Sequence, residues 1–151
     1  MAPSDWRDDD LIGVWSALLR VHAELVPVLD SELQRAGGIP LGWYDVLLEL
    51  AAAPGRRMRM TDLGEAVVLS RSRVSRVVDE LVRKGYVTRT PNPDDGRSAF
   101  AALTPAGYKA FRSAAPIYLN RIRTHLAPRL NAGEAKQLRR LLEKVLSHAG
   151  I

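Results

Sequence analysis

The feature that most constrains the fold is the segment from Thr61 to Thr104, where two short helical patterns precede two short strand patterns. The second helical pattern begins at Ser70, a residue type favoured at helix N-caps, and continues to Lys84. Its apolar residues recur at the spacing of a buried helix face and are Val74, Val77, Val78 and Leu81. The opposite face is polar and carries Arg71, Ser72, Arg73, Ser75 and Arg76.

Two interpretations of this polar face are open from the helix alone. Guanidinium groups and hydroxyls packed into so few turns are the donors that a helix lying in a DNA major groove needs. A solvated helix face is the alternative, since Asp79 and Glu80 can pair with basic residues one turn away. The residues that follow the helix favour the first interpretation.

A β-hairpin is predicted directly after this helix. Gly85 is placed to take the left-handed conformation that ends many helices, and the β-branched and aromatic segment 86–90 follows it. Residues 92–96 (Asn-Pro-Asp-Asp-Gly) are turn formers, and a return strand runs from Arg97 to Leu103. A helix, a turn, a second helix and a hairpin in this order predict a winged helix-turn-helix with Arg97 at the hairpin tip.

Two further elements are expected just before the helix at 70–84. Thr61 is placed to cap the first helix of the motif, at residues 62–67. The alternating segment 56–60 (Arg-Arg-Met-Arg-Met) predicts a short strand that pairs with the wing. Its arginines can contact phosphate, and a solvated loop is an equally acceptable interpretation.

These residues resemble the MarR family of transcriptional regulators. The matching blocks are LSRSRVSRVVDELVRKGYV at 69–87, DGR at 95–97 and LTPAG at 103–107, in the family's order and spacing. The resemblance implies that the helix from Ser70 to Lys84 enters the major groove, that Arg97 reaches into the adjacent minor groove and that Asp95 braces the wing. The DNA-binding residues that it implies are Ser70, Arg71, Ser72, Arg73, Ser75, Arg76, Asp95 and Arg97.

The flanking segments predict further helices. Apolar periodicity runs from about residue 8 to 36 and contains Pro27, which predicts a bend or a break there. A second, largely apolar helix is predicted at 43–53, and a helix beginning at residue 105 contains Pro116. Asn131 and Glu134 form an N-x-x-E capping box that opens a last amphipathic helix.

The predicted fold is therefore mainly α, a single MarR-like domain over residues 1–151. A winged helix-turn-helix lobe occupies 43–104, and N- and C-terminal helices at 8–36 and 105–148 form a dimerisation region. The first helix has more apolar surface than one chain of 151 residues needs to bury, so a second chain is expected to cover it.

The chain lacks the constellations that enzymes and metal proteins use. It contains no cysteine, and its histidines are isolated in sequence at His22, His125 and His148. Neither a nucleophile motif, a P-loop nor a dinucleotide fingerprint is present. We expect a protein that is not an enzyme and has neither metal nor cofactor.

Charge and the N-terminus bear on location. The net charge of +5 suits an anion-binding protein, although many basic proteins bind no nucleic acid. The N-terminus is acidic, and neither a signal peptide nor an 18-residue apolar run is recognised. We expect a cytoplasmic protein without a membrane partner.

The resemblance implies a ligand-responsive repressor that binds a pseudo-palindromic site in double-stranded DNA as a homodimer. It also implies a cleft for a small aromatic or phenolic effector, expected at Trp15, His22, Trp43, Tyr44, Asp45 and Tyr118. For Asp45 another interpretation is open, in which its carboxylate binds free amides at the start of its own helix. The alternative function is a winged-helix protein-interaction module without DNA-binding activity.

Overall fold

The computed structural model describes residues 9–148, apart from the side chains of residues 95–98. The elements in chain order are α1 (Asp10–Gly37), α2 (Leu41–Ala52), β1 (Arg57–Arg59), α3 (Met60–Ala66), α4 (Val74–Lys84), β2 (Val87–Asn92), β3 (Asp95–Leu103), α5 (Pro105–Leu126) and α6 (Ala132–His148). Short 3-10 turns occupy Pro54–Arg56 and Arg71–Arg73. The chain divides into two compact units, Met1–Tyr118 and Leu119–Ile151.

The long first helix begins and ends as its sequence predicts. Asp9 Oδ1 accepts hydrogen bonds from the amides of Leu11 and Ile12, at 2.8 and 3.3 Å, and Gly38 ends the helix in the left-handed conformation. Pro27 lies inside one continuous helix, so the break that was one of the two expectations does not occur.

Much of the apolar surface of α1 is exposed in the single chain. The side chains concerned are Leu11, Ile12, Val14, Trp15, Leu19, Val21 and Val28. By length and composition alone α1 could cross a membrane, with a mean hydropathy of 1.4 over an 18-residue window. The expectation that no such apolar run exists is therefore wrong for this helix. The helix also contains Arg20 and Glu24, which form an exposed ion pair at 3.7 Å.

The core of the first unit lies under the helix-turn-helix and the sheet. Leu47, Leu50, Leu63 and Leu81 are completely buried and belong to one apolar cluster that joins α2, α3 and α4. The sheet has the order β1-β3-β2 and is antiparallel, with Arg57 opposite Ala102 and Val87 opposite Leu103. The predicted strand before α3 therefore does pair with the wing.

Three helix starts differ from the sequence expectation. The second helix begins at Leu41 instead of Trp43, and α3 begins at Met60, which leaves Thr61 inside the first turn and not at the cap. The recognition segment, Arg71–Lys84, opens as a 3-10 turn, because the Arg73 amide donates to the Ser70 carbonyl at 2.8 Å. Ser70 makes no side-chain cap, and its hydroxyl lies against Gly42.

The wing leads into α5 through a well-bonded cap. Thr104 Oγ1 donates to the Gly85 carbonyl at 2.7 Å and accepts from the Gly107 amide at 3.0 Å. A Cβ on Gly107 would lie 2.1 Å from the Tyr86 carbonyl oxygen, so only glycine fits this approach of helix to backbone.

In the second unit the predicted capping box is confirmed. The Asn131 amide donates to Glu134 Oε2 at 3.0 Å, and the Glu134 amide donates to Asn131 Oδ1 at 2.8 Å. The apolar residues of this unit that stay exposed are Leu119, Leu126, Leu138, Leu141, Val145 and Leu146.

Candidate nucleic-acid interface

The recognition segment at Arg71–Lys84 has one buried face and one exposed face. Val74, Val77, Val78 and Leu81 are buried, as their spacing predicts. The exposed residues on the other side are Arg71, Ser72, Arg73, Ser75 and Arg76. Of the remaining predicted DNA-binding residues, Ser70 is half-buried, and the side chains of Asp95 and Arg97 lie outside the described residues.

The three arginines of this face have different surroundings. The Arg71 guanidinium donates to the Glu65 carbonyl at 2.9 Å, which ties the recognition segment to the end of α3. Arg76 forms an ion pair with Glu80 at 3.6 Å. The Arg73 side chain is exposed, and its guanidinium makes no hydrogen bond or ion pair with the residues that the structure describes. Arg73 is therefore free to contact a partner without first leaving another group.

Glu80 in turn is held by a side chain of α2. Trp43 Nε1 donates to Glu80 Oε2 at 2.8 Å, and the Trp43 ring packs edge-on against Tyr86 at 6.2 Å between centroids. The orientation of Arg76 is thus linked through Glu80 to the start of α2. No sequence periodicity could reveal this contact, because the two bonded residues are 37 positions apart.

Asp45 supports the turn that precedes the recognition segment. It is 8% exposed, and its Oδ2 accepts a hydrogen bond from the Leu69 amide at 3.0 Å. The interpretation in which Asp45 binds amides at the start of its own helix is wrong. Because α2 begins at Leu41, Asp45 is its fifth residue and lies beyond the free amides of the first turn.

The start of α2 is itself bonded to α1. Asp30 Oδ1 accepts a hydrogen bond from the Leu41 amide at 2.8 Å and a second from Gln34 Nε2 at 3.0 Å. Pro40 occupies the N-cap position and has no side-chain acceptor of its own. Asp30 therefore supplies from another helix the cap that the local sequence of α2 lacks.

An open cleft of about 370 Å³ lies between these elements. It is lined by Val26, Pro27 and Asp30 of α1, by the first turn of α2 and by residues of the recognition segment that include Arg73, Arg76 and Glu80. One predicted effector residue, Trp43, lines this cleft.

The other predicted effector residues are placed elsewhere. Trp15 is 61% exposed on α1, and His22 is also exposed. Tyr44 and Tyr118 pack against each other in the core, with ring centroids 4.8 Å apart. Burial raises the pKa of both phenols; Tyr118 adds to the rise in the pKa of Tyr44, and the Asp45 carboxylate adds to that of Tyr118.

Two arginines of the basic segment before α3 lie against aromatic rings of the same chain. The Arg56 guanidinium stacks 3.6 Å above the Tyr108 ring, and Arg57 lies 4.8 Å from the centroid of Phe100. Arginine favours such faces because the ring quadrupole attracts a cation. The Arg56 and Arg57 guanidiniums therefore contact aromatic rings, which neither sequence interpretation of this segment included.

Comparisons with known proteins identify the family of this chain. The family model described as MarR family matches residues 37–98. Sco3205, a MarR family transcriptional regulator from Streptomyces coelicolor solved in complex with DNA, is 36% identical and has a TM-score of 0.78, with 89% of this chain and 85% of Sco3205 covered. The chain belongs to the MarR family.

Two further comparisons cover different parts of the length. A mutant of MarR from Escherichia coli, solved with operator DNA, is 26% identical with a TM-score of 0.76, and 91% of this chain and 96% of that chain are covered. The transcriptional repressor MprA from Escherichia coli strain K12 is 26% identical over 117 residues, which are 78% of this chain. The match spans 66% of MprA, so about a third of MprA has no counterpart in the matched part of this chain. Family membership agrees with the sequence resemblance and with the mainly helical winged fold.

Proposed function

We propose that this MarR-family protein is a sequence-specific DNA-binding regulator that represses transcription from a pseudo-palindromic operator. The observation that carries the proposal is the recognition segment, whose apolar face is buried while its guanidinium and hydroxyl groups stay exposed. The similar Sco3205 and MarR were each solved with DNA, and MprA is named a repressor. A cytoplasmic location follows from this role.

In this proposal the exposed arginines have different roles. Arg73 reads a base edge, since its guanidinium has no competing partner among the described residues. Arg76 reads a second base, and its guanidinium is oriented by Glu80, which Trp43 holds in place. Arg71 mainly stabilises the helix-turn-helix through its bond to the Glu65 carbonyl. Ser70 and Ser72 contribute polar contacts at the same face.

The test compares specific with random DNA. Wild-type protein first selects duplexes from a random pool, and Arg73→Ala and Arg76→Ala variants then compete for the selected duplex. Each variant should lose about 1–3 kcal/mol of discrimination, roughly 5- to 150-fold, because one bidentate base contact is removed. Arg83→Ala is the matched control, since it removes the same charge from the C-terminal end of the same helix. Unchanged discrimination in both Arg73→Ala and Arg76→Ala would remove α4 as the reader and favour a protein-interaction module.

The wing contributes a contact to DNA through Arg97, with Asp95 bracing the hairpin. Arg97→Ala is expected to weaken binding to all duplexes, with an extra loss where the minor groove is narrow. Plots of log affinity against log salt should become shallower by about one unit if one phosphate contact is lost. Equal slopes and affinities for wild type and Arg97→Ala would exclude the wing.

A homodimer presents two recognition helices to the two half-sites. The exposed apolar side chains of α1, and those of the second unit, exceed the scattered apolar residues that a monomer exposes. Half-sites one DNA turn apart, about 34–36 Å, require both lobes at a fixed separation. Sedimentation should give a dimer at micromolar concentration, and a stable folded monomer would contradict this. Partition into lipid vesicles tests the membrane alternative for the same helix.

A small aromatic or phenolic effector regulates the protein by occupying a site beside α1 and α2. The candidate residues expected from the sequence are Trp15, His22, Trp43, Tyr44, Asp45 and Tyr118. Of these six, Trp43 lines the open cleft, which supports a site at Trp43. A ligand that favours the DNA-free form must bind more weakly when operator is present. Calorimetry with salicylate, with and without the selected duplex, measures this coupling, and identical affinities would show that salicylate is no inducer.

A further inference from the structure

Arg89 of β2 bonds the wing to the recognition helix. Its Nη1 donates to Asp79 Oδ1 at 2.7 Å, and its Nη2 donates to Ser75 Oγ at 3.2 Å. Ser75 and Asp79 are four residues apart on α4 and so share one helix face. A single planar guanidinium therefore spans both groups, and the ion pair with Asp79 holds it beside the Ser75 hydroxyl.

The hydrogen bond from Arg89 determines which role the Ser75 hydroxyl takes, donor or acceptor. A guanidinium carries only N–H donors, so Ser75 Oγ must be the acceptor of this bond. The hydroxyl hydrogen is then left to donate elsewhere, and no oxygen in the described part of the chain accepts it. Ser75 is exposed and adjacent to Arg76 on the polar face. The hydroxyl hydrogen is therefore available to an acceptor on a bound molecule.

We propose that Ser75 donates a hydrogen bond to a purine N7 in the operator and that Arg89 is the positioning residue that directs this hydroxyl. The proposal rests on the DNA-binding function proposed above for α4. In the major groove both adenine and guanine present N7 as an acceptor, whereas cytosine presents an amino donor. The positive charge beside Oγ makes it a poor acceptor for that amino group. Ser75 thus favours a base that presents an acceptor over cytosine, and at a purine N7 it does not distinguish adenine from guanine.

The ion pair with Asp79 separates this role from simple phosphate binding. The Asp79 carboxylate at 2.7 Å compensates the charge of Arg89 and keeps its donors on the protein. A residue that bound a phosphate would add about 0.9 to the slope of log affinity against log salt. Arg89 is expected to leave that slope unchanged, which gives a second, independent readout.

The test uses the duplex that wild-type protein selects from a random pool, with each purine replaced in turn by its 7-deaza analogue. At one purine in each half-site, wild type should lose about two- to tenfold in affinity, the contribution of one hydrogen bond. Ser75→Ala should bind the normal and the 7-deaza duplex equally at that position. Arg89→Met should lose most of the 7-deaza effect, and Arg89→Lys, which keeps a charged donor, should restore part of it. All of these residues are exposed, so melting temperatures should stay close to that of wild type.

Two further variants complete the test. Ser113→Ala removes an exposed hydroxyl of α5, outside the recognition segment, and should retain the full 7-deaza effect. Asp79→Asn removes the ion pair that holds Arg89 beside Ser75 and should lose part of the effect. The inference is overturned if Ser75→Ala keeps the effect at every sensitive purine, if Arg89→Met keeps it in full, or if Arg89→Met lowers the salt slope by about one unit. A wild type that selects no duplex at all would instead overturn the proposed function itself.

Discussion

Replacing Asp45 with alanine is expected to loosen the turn before the recognition helix while the lobe stays folded. The Asp45 carboxylate accepts the Leu69 amide at 3.0 Å in a buried position. A hydrogen bond to a charged group contributes about 1.5–3 kcal/mol. At about 1.36 kcal/mol per factor of ten, hydrogen exchange at the Leu69 amide should become about 10- to 150-fold faster. The free energy of global unfolding should fall by less, because alanine also removes the desolvation cost of a buried carboxylate.

Residue-resolved hydrogen exchange by NMR measures this effect at Leu69 itself. Asp45→Asn should cause a smaller acceleration, since its amide oxygen can still accept the hydrogen bond. Glu49→Ala is the matched control, because Glu49 lies one turn later on α2 and does not bond Leu69. An unchanged rate in Asp45→Ala, or an equal acceleration in Glu49→Ala, would refute the proposed support of the turn.

Three further substitutions test neighbouring features. Burial, and secondly the Asp45 charge, raises the pKa of Glu49 above 4.5, so the folded state binds its proton more tightly than the unfolded chain does. The stability gained by Glu49→Gln should therefore be smallest below pH 4.5 and grow as pH rises through the raised pKa, as measured by urea unfolding across pH. Gly107→Ala should lower stability by about 1–3 kcal/mol or more in thermal unfolding, since the new methyl meets the Tyr86 carbonyl. Trp43→Phe removes the donor to Glu80 and should reduce DNA discrimination in the same direction as Arg76→Ala, in the competition assay described above.

The features predicted correctly from sequence are those set by local periodicity or by nearby caps. The buried stripe of α4 follows from side-chain spacing alone, and Gly85 ends that helix with φ 83° as expected. The reciprocal bonds between Asn131 and Glu134 span three residues and could be predicted from their types. The pairing of β1 with the wing followed from an alternating pattern next to a predicted hairpin.

The features that sequence did not predict depend on residues far apart in the chain. Ser70 is a good N-cap by type, but the approach of Gly42 from α2 places its hydroxyl against another helix. The carboxylate of Asp45 finds its partner 24 residues away, which no local rule anticipates. Arg89 was not recognised at all, because its importance arises only where β2 lies beside α4. The predicted effector residues were grouped by chemistry, whereas packing separates Trp43 from the buried Tyr44.

The first five residues of α2 join the three parts that a regulated DNA-binding protein must couple. The Leu41 amide donates a hydrogen bond to Asp30 of α1, and Trp43 donates to Glu80, which pairs with Arg76. The Asp45 carboxylate accepts from the Leu69 amide, just before the recognition segment. A displacement of this single turn would therefore change the turn before the recognition segment and the orientation of Arg76 together. Coupling free energies between regulatory sites are typically about 1–3 kcal/mol, and a hydrogen bond to a charged group contributes about 1.5–3 kcal/mol. The bond between Trp43 and Glu80 is therefore of the same magnitude as such a coupling, and under the effector proposal a ligand in the adjacent cleft that breaks it would act on Arg76 through Glu80.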